Sequence, residues 1–255
     1  MSLKPYYYML GIVSAMLFSG CAIRSVYIPL SQNVPLFDTS RQIKASGYLG
    51  INHVELQAAH NYSAHFALAT NVYFGSGIAC YDAAIGAYAY SKNAKWHYEL
   101  FGGYGYNSNI SYNNGNFLSP SEKLSYDANA LYHRIYLQPA VGFTGKISIY
   151  KIRYSFSLSA KVSYLYFKDF LYDEKNVASP APVYIVYKQY QDDGMFTLEP
   201  CLTNKVGIKN IMAILQVQSI SPYSTQIDVR NTKFSPVIIL STGIQYDLTF
   251  KRKFR

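Results

Sequence analysis

Residues 150–166 read YKIRYSFSLSAKVSYLY, a stretch in which apolar and polar side chains alternate. Every even position from Tyr150 to Tyr166 is apolar or aromatic, and the odd positions as far as Ser163 are lysine, arginine or serine. Successive side chains of a strand point to opposite faces, so this period of two predicts a strand with one apolar and one polar face. The stretch has 17 residues, whereas strands in globular proteins usually have about five or six.

The same alternation recurs along the chain and is clear again between Ile238 and Phe250. A soluble β-sandwich also alternates, with its polar face in water. Three features favour a membrane barrel instead: the strands are long, tyrosines such as Tyr104 and Tyr106 stand near strand ends, and the polar face is Gly, Ser and Thr with isolated charges. The predicted fold is therefore all-β, an antiparallel up-and-down transmembrane β-barrel.

We predict about ten strands, with eight as the alternative count because the alternation is weak between Asp82 and Ser91. The ten predicted strands lie near residues 41–50, 53–62, 65–75, 82–91, 95–106, 130–144, 147–167, 194–206, 209–219 and 236–250.

The predicted connections alternate in length from the fifth strand onward. Long loops cover 107–129, 168–193 and 220–235, and short turns lie between them, one of them at Gly145 and Lys146. Outer-membrane barrels have long external loops and short periplasmic turns. An even number of strands then predicts that both termini lie on the short-turn side.

Composition excludes other classes of protein. The chain has 255 residues, of which 15% are charged and 16% aromatic, and it is too apolar and aromatic to be disordered. The mean hydropathy of −0.02 is too low for a bundle of membrane helices. Three cysteines do not form a disulfide scaffold. No repeat or second domain is evident, and we assign residues 41–255 to one barrel.

The first 40 residues predict a leader and a tether. Residues 1–20 have a short basic start, an apolar run and small residues before Cys21, which is typical of a signal peptide. Residues 17–21, LFSGC, resemble the lipobox of bacterial lipoproteins. That resemblance implies that Cys21 carries an acyl group such as palmitate and becomes the first residue of the mature chain. Residues 21–40 contain Pro29 and Pro35 and predict an irregular tether, with disorder as the alternative.

The chain resembles poorly characterised outer-membrane barrel lipoproteins of Bacteroidota. The resemblance depends on the lipobox-like leader, the tether with Asn33–Phe37 and the strands of period two. It implies the fold and location in the bacterial outer membrane, and no known activity. A lipid on Cys21 in the inner leaflet is compatible with both termini on the short-turn side. The last strand, with Tyr246, Leu248 and Phe250, is similar to the signal read by the barrel-assembly machinery.

The polar faces of the strands predict a charged lumen. A ten-stranded barrel is only slightly wider than one that its own side chains fill, so we expect a lumen plugged by paired charges; a narrow, weakly anion-preferring pore is the alternative. The predicted lumen charges are Lys44, Glu55, Glu99, Arg134, Lys151, Arg153, Lys161, Glu199, Lys205 and Asp247, with His97 on the same face.

These patterns predict a structural or surface-interaction role through the long loops. Loops on a rigid scaffold usually carry recognition, and the tyrosine-rich second loop suits a protein or glycan partner. The other expected partners are outer-membrane lipids and the assembly machinery, not nucleic acid. No catalytic residues, cofactor or metal site are predicted. The alternatives are a small channel and a surface enzyme that uses Asp192 and Asp193.

Overall fold

A computed structural model describes residues 27, 29–39, 41–49, 53–75, 77–93, 95–114, 124–147, 152–176, 183–224 and 238–250. These ranges contain twelve β-strands. Within them, no helix has the length and apolar character to cross a membrane. The strands are β1 Gln42–Leu49, β2 His53–Asn61, β3 Phe66–Gly75, β4 Ile78–Tyr90, β5 Trp96–Asn114, β6 Leu124–Ile147, β7 Ile152–Asn176, β8 Val183–Tyr190, β9 Asp193–Ile208, β10 Ile211–Ser219, β11 Ser221–Tyr223 and β12 Ile238–Thr249.

Ten of these strands close into a barrel. From β1 to β7 each strand pairs antiparallel with the next, β7 pairs with β9, β9 with β10 and β10 with β12. The barrel closes where β12 pairs with β1, from Gln42 opposite Thr249 to Tyr48 opposite Gly243. The short strands β8 and β11 pair only with β7 and β9 and stand outside this ring. The predicted antiparallel barrel of ten strands is confirmed.

The outside of the barrel is apolar and the inside is polar. Burial alternates residue by residue along β4 and β9, as a closed sheet with one enclosed face requires. Large apolar side chains are exposed all round the outer face, among them Ile135 at 64%, Leu158 at 52% and Ile244 at 62%. A continuous apolar exterior of this kind is a surface for lipid, so the barrel is a transmembrane barrel.

Aromatic rings form two belts on the outer face. Near the long-loop end, Tyr104 stacks on His133 and Tyr164 packs on Phe196, with ring centroids 5.9 and 5.0 Å apart. We call this the upper girdle. Near the short turns, the ring of Phe143 contacts Trp96 and Tyr154 at 5.4 and 6.1 Å; these rings are the lower girdle.

The spacing of the two girdles matches a membrane. Tyr154 and Tyr164 are ten residues apart in β7, which is about 33 Å along a strand. With a strand tilt of about 40°, the height between the girdles is roughly 25 Å, the usual height of the apolar band in outer-membrane barrels.

The structure differs from the sequence prediction at the strand ends. Gly145 and Lys146 do not form a turn: they lie in β6, opposite Tyr154 and Arg153. Residues 107–114 and 124–129, predicted as loop, continue the β5–β6 hairpin. Period-two alternation cannot detect such extensions, because a hairpin beyond the apolar band has no lipid-facing side.

An arginine on the outer face tests the membrane-spanning surface. We predict that Leu158→Arg, midway between the girdles, lowers the free energy of unfolding by about 2–4 kcal/mol, because the charge is placed in lipid. The control Ile208→Arg, at the short-turn end of β9, should cost only about 0–1 kcal/mol. Urea unfolding in lipid vesicles, followed by the fluorescence of Trp96, gives both values. Equal values for the two variants would contradict the lipid-facing assignment.

Candidate functional site

The barrel lumen is occupied by the chain that precedes β1. We call the described part of this segment, residues 27 and 29–39, the plug. Tyr27, Leu30, Val34 and Phe37 in the plug are at most 1% exposed. The plug has no regular secondary structure, as the sequence predicts for a tether. Its position inside the barrel is a finding of the structure.

The inner wall of the barrel satisfies the backbone carbonyls of the plug. A buried carbonyl without a partner is costly, and an extended chain in a lumen has no sheet neighbour to supply one. Five wall side chains donate instead: Gln57 to Ser31 at 2.6 Å, Gln216 to Gln32 at 2.7 Å, Gln138 to Asn33 at 2.9 Å, Lys205 to Val34 at 2.6 Å and Lys44 to Leu36 at 2.9 Å.

The N–H groups of the plug have wall partners as well. The N–H of Ser31 donates to Glu55 at 3.2 Å, and the N–H of Phe37 donates to Glu99 at 3.3 Å. The side-chain oxygen of Gln216 accepts from the N–H of Gln32 at 3.1 Å while its amide nitrogen donates to the same residue. Gln216 thus takes the place of a paired strand residue.

Shape also matches between plug and wall. A Cβ atom added to Gly142, on the inner face of β6, would lie 2.5 Å from Leu36, closer than Cβ atoms approach other heavy atoms. The plug residue Phe37 packs in a cluster with Tyr88, Phe101 and Tyr136 of the wall. A wall position without a side chain therefore accommodates the plug, and bulky wall residues enclose it.

An upper charge cluster holds Tyr27, the first described residue of the plug. The Tyr27 hydroxyl donates to Glu199 and accepts from Arg134 at 2.9 Å. Arg134 also forms a fully buried ion pair with Asp82, and the Nζ atom of Lys161 lies 3.9 Å from the same carboxylate. Two cations and two carboxylates balance here, which suits a site excluded from water.

A lower charge cluster lies at the short-turn end. Asp247 is 3.1 Å from Arg153 and 3.9 Å from Lys44, and Arg153 is 3.9 Å from Asp38 at the end of the plug. An open cavity of about 360 Å³ lies beside this cluster, and its lining includes Leu36, Lys95 and Lys146. The plug therefore forms part of the wall of the short-turn mouth.

The predicted lumen residues have two kinds of partner. Lys44, Arg134, Arg153, Lys161 and Asp247 lie in ion pairs. Glu55, Glu99, Glu199 and Lys205 are buried and bind the plug directly. His97 also contacts the plug, through the carbonyl of Phe37 at 3.0 Å. Lys151 and Cys21 lie outside the described residues.

The predicted site residues included none of the neutral amides of the wall and missed one acid. Gln57, Gln138 and Gln216 are no more than 4% exposed, and Asp82 is 2% exposed. All four lie at inward positions of their strands, so the alternation of apolar and polar residues could have predicted that they face the lumen. A count of charges alone could not identify the glutamines, although side-chain amides are suited to pair with a backbone.

The plug runs from one end of the barrel to the other. Phe37 contacts His97, the neighbour of Trp96 in the lower girdle. Tyr27 contacts Tyr132 and Arg134, the two neighbours of His133 in the upper girdle. The prediction that both termini lie on the short-turn side holds for the two barrel ends, Gln42 and Thr249. The chain before β1 has reached the opposite end at Tyr27, and the N-terminus itself lies outside the described residues.

Across the part of the chain that the structure describes, no group of three His, Cys, Asp or Glu side chains could hold a metal ion. Cys80 and Cys201 are buried free thiols.

No protein-family model and no curated protein matches the chain. Among solved structures, a KdgM porin is 11% identical, with a TM-score of 0.31, and the match covers 82% of this chain and 99% of the porin. The translocator domain of the autotransporter NalP from Neisseria meningitidis is 9% identical, with a TM-score of 0.30, and the match covers 96% of each chain. The fold assignment depends on the strand pairing described above.

Removal of Arg134 tests the upper charge cluster. Arg134→Met leaves two carboxylates and one cation in a dry site, and we predict a loss of about 3–5 kcal/mol in the free energy of unfolding. Adding Asp82→Asn should restore most of the loss, because the charges again balance. The control Arg153→Met, at the partly exposed mouth, should cost about 1 kcal/mol or less. Urea unfolding in vesicles measures all three, and an Arg134→Met variant as stable as the control would contradict the buried pairing.

Proposed function

We propose that this protein is an outer-membrane lipoprotein whose barrel is a closed scaffold for interactions at the cell surface. The observation that carries the proposal is the plug, which occupies the lumen and is bonded to the wall at Tyr27 and from Ser31 to Phe37. Inward Gln, Lys and Glu side chains that are bonded to a peptide are not available to a passing solute. The function is then carried out by the parts of the protein outside the membrane, and the barrel positions those parts and holds them rigid.

The interaction surface is the set of strand extensions beyond the upper girdle. Pairing of β6 with β7 continues from Tyr132 and Phe167 to Leu124 and Asn176, which adds about 26 Å of hairpin. β8 adds a further strand to the extended part of β7. A rigid sheet that projects from the membrane is a suitable platform for a protein or glycan partner. The predicted second loop is therefore largely a strand pair.

The location in the bacterial outer membrane and the lipid on Cys21 belong to the same proposal. The apolar band of about 25 Å between the girdles supports the location. The lipobox-like residues 17–21 support acylation, and an acyl chain contributes about 0.8 kcal/mol for each buried CH₂ group. A barrel needs no lipid to remain in a membrane, so the lipid acts on the N-terminal segment.

Single-channel recording tests the closed lumen. We predict that the purified protein inserted in planar bilayers shows no unit conductance. A variant in which residues 29–38 are replaced by a glycine–serine sequence of equal length should open an ion path, because it loses the packing of Leu30, Leu36 and Phe37. A heat-modifiable gel band and β circular dichroism must first show that the variant is folded.

Two results would overturn the proposal. Steady conductance of the native protein would mean that the small channel, the alternative function, is correct. A folded glycine–serine variant that remains silent would mean that the plug is not what closes the barrel. If the larger replacement fails to fold, a variant with only two substitutions, Leu36→Gly and Phe37→Gly, repeats the comparison of conductance.

A further inference from the structure

The direction of the plug determines which side of the membrane the N-terminal segment reaches. The plug enters from the short-turn end, where Asp38 and Thr39 bond to Gln42 at the start of β1. It then ascends past Glu99, Lys205 and Gln216 to Tyr27. There Tyr27 packs with Phe167, Phe170 and Ile220, which lie at the long-loop end of the barrel.

The wall is low on one side of this end, beside Leu30. Leu30 packs on Tyr73 and Cys80, each two residues from the ends of the β3–β4 hairpin at Gly75 and Ile78. That hairpin, unlike β5–β6 and β6–β7, has no extension beyond the membrane. Cys21 precedes Tyr27, the first described residue of the plug, by six positions, and an extended chain of that length spans about 20 Å. This is the length of chain available to reach the rim.

A return toward the short-turn end would compete with the plug for the lumen. Tyr27 is completely buried, and its hydroxyl is bonded to Glu199 and Arg134. A second peptide beside the plug would need partners for its own N–H and C=O groups. Of the wall amides and cations on this path, Gln57, Gln216 and Lys205 are already bonded to the plug.

We infer that the N-terminal segment leaves the barrel at the long-loop end, so that the acyl group on Cys21 is anchored in the outer leaflet. This inference rests on the proposed outer-membrane location and acylation. Long loops of outer-membrane barrels face the exterior. The mature N-terminus therefore lies at the cell surface, on the same side as the strand extensions, and the lipid pulls the plug toward that side.

Thiol labelling on intact cells tests this topology. Ser25→Cys introduces a thiol between Cys21 and the plug, and a membrane-impermeant maleimide is added before and after permeabilisation of the outer membrane. Cys80 and Cys201 are buried and should not react in folded protein. Two exposed turn positions calibrate the sides: Gln191→Cys between β8 and β9, and Asn93→Cys between β4 and β5.

We expect the Ser25→Cys variant to be labelled on intact cells to the same fraction as Gln191→Cys, while Asn93→Cys is labelled only after permeabilisation. Labelling of Ser25→Cys that requires permeabilisation or denaturation overturns the inference. The same reaction in the Cys21→Ser background should be unchanged, because the plug determines the path.

The controls separate this inference from the function on which it rests. If Gln191→Cys is not labelled on intact cells, the barrel is not at the cell surface and the proposed location is wrong. If the native chain is labelled without Ser25→Cys, the Cys21 thiol is free and the proposed acylation is wrong. The inference about direction fails only when both controls behave as expected and Ser25→Cys stays protected on intact cells.

Discussion

The structure depends on the hydrogen bonds between the backbone of the plug and the side chains of the wall. An extended peptide inside a barrel has lost water and has no strand beside it, so each buried carbonyl needs a donor from the surrounding side chains. Gln57, Gln216, Gln138, Lys205 and Lys44 supply those donors, in that order from Ser31 to Leu36 of the plug. The composition of the inner face follows from this need.

The charges of the lumen serve the same occupant. In the upper cluster, Arg134 and Glu199 bond to Tyr27, and Asp82 balances Arg134. In the lower cluster, Arg153 and Asp247 stand beside the point where the plug enters. Buried ions are stable only with close partners. The plug is one of those partners, so wall and plug stabilise each other.

The sequence predicts the barrel well because the alternation of apolar and polar residues can be read along each strand without knowledge of its neighbours. The residues Tyr150–Tyr166 alternate because one face of the strand contacts lipid and the other faces the lumen. The same alternation, found along the rest of the chain, predicts the ten strands. The plug has no such signal: Pro29–Phe37 is irregular, and its partners are distributed over many strands. Alternation does place Gln57 and Gln216 inside, but only the three-dimensional path shows that they face a peptide. The extensions of β5 to β7 were missed because they lie beyond the apolar band.

The side chains of the inner wall are suited to bind a peptide rather than to conduct water or ions. A pore for ions needs charged or carbonyl groups that bind weakly and release. The side chain of Gln216 accepts from the N–H of Gln32 and donates to its carbonyl. This is the pair of hydrogen bonds that one strand residue makes with another, and it is not an arrangement for coordinating an ion. β1 follows the plug directly, and its pairing with β12 closes the barrel around the segment that these amides hold. The plug is thus a structural element of the barrel.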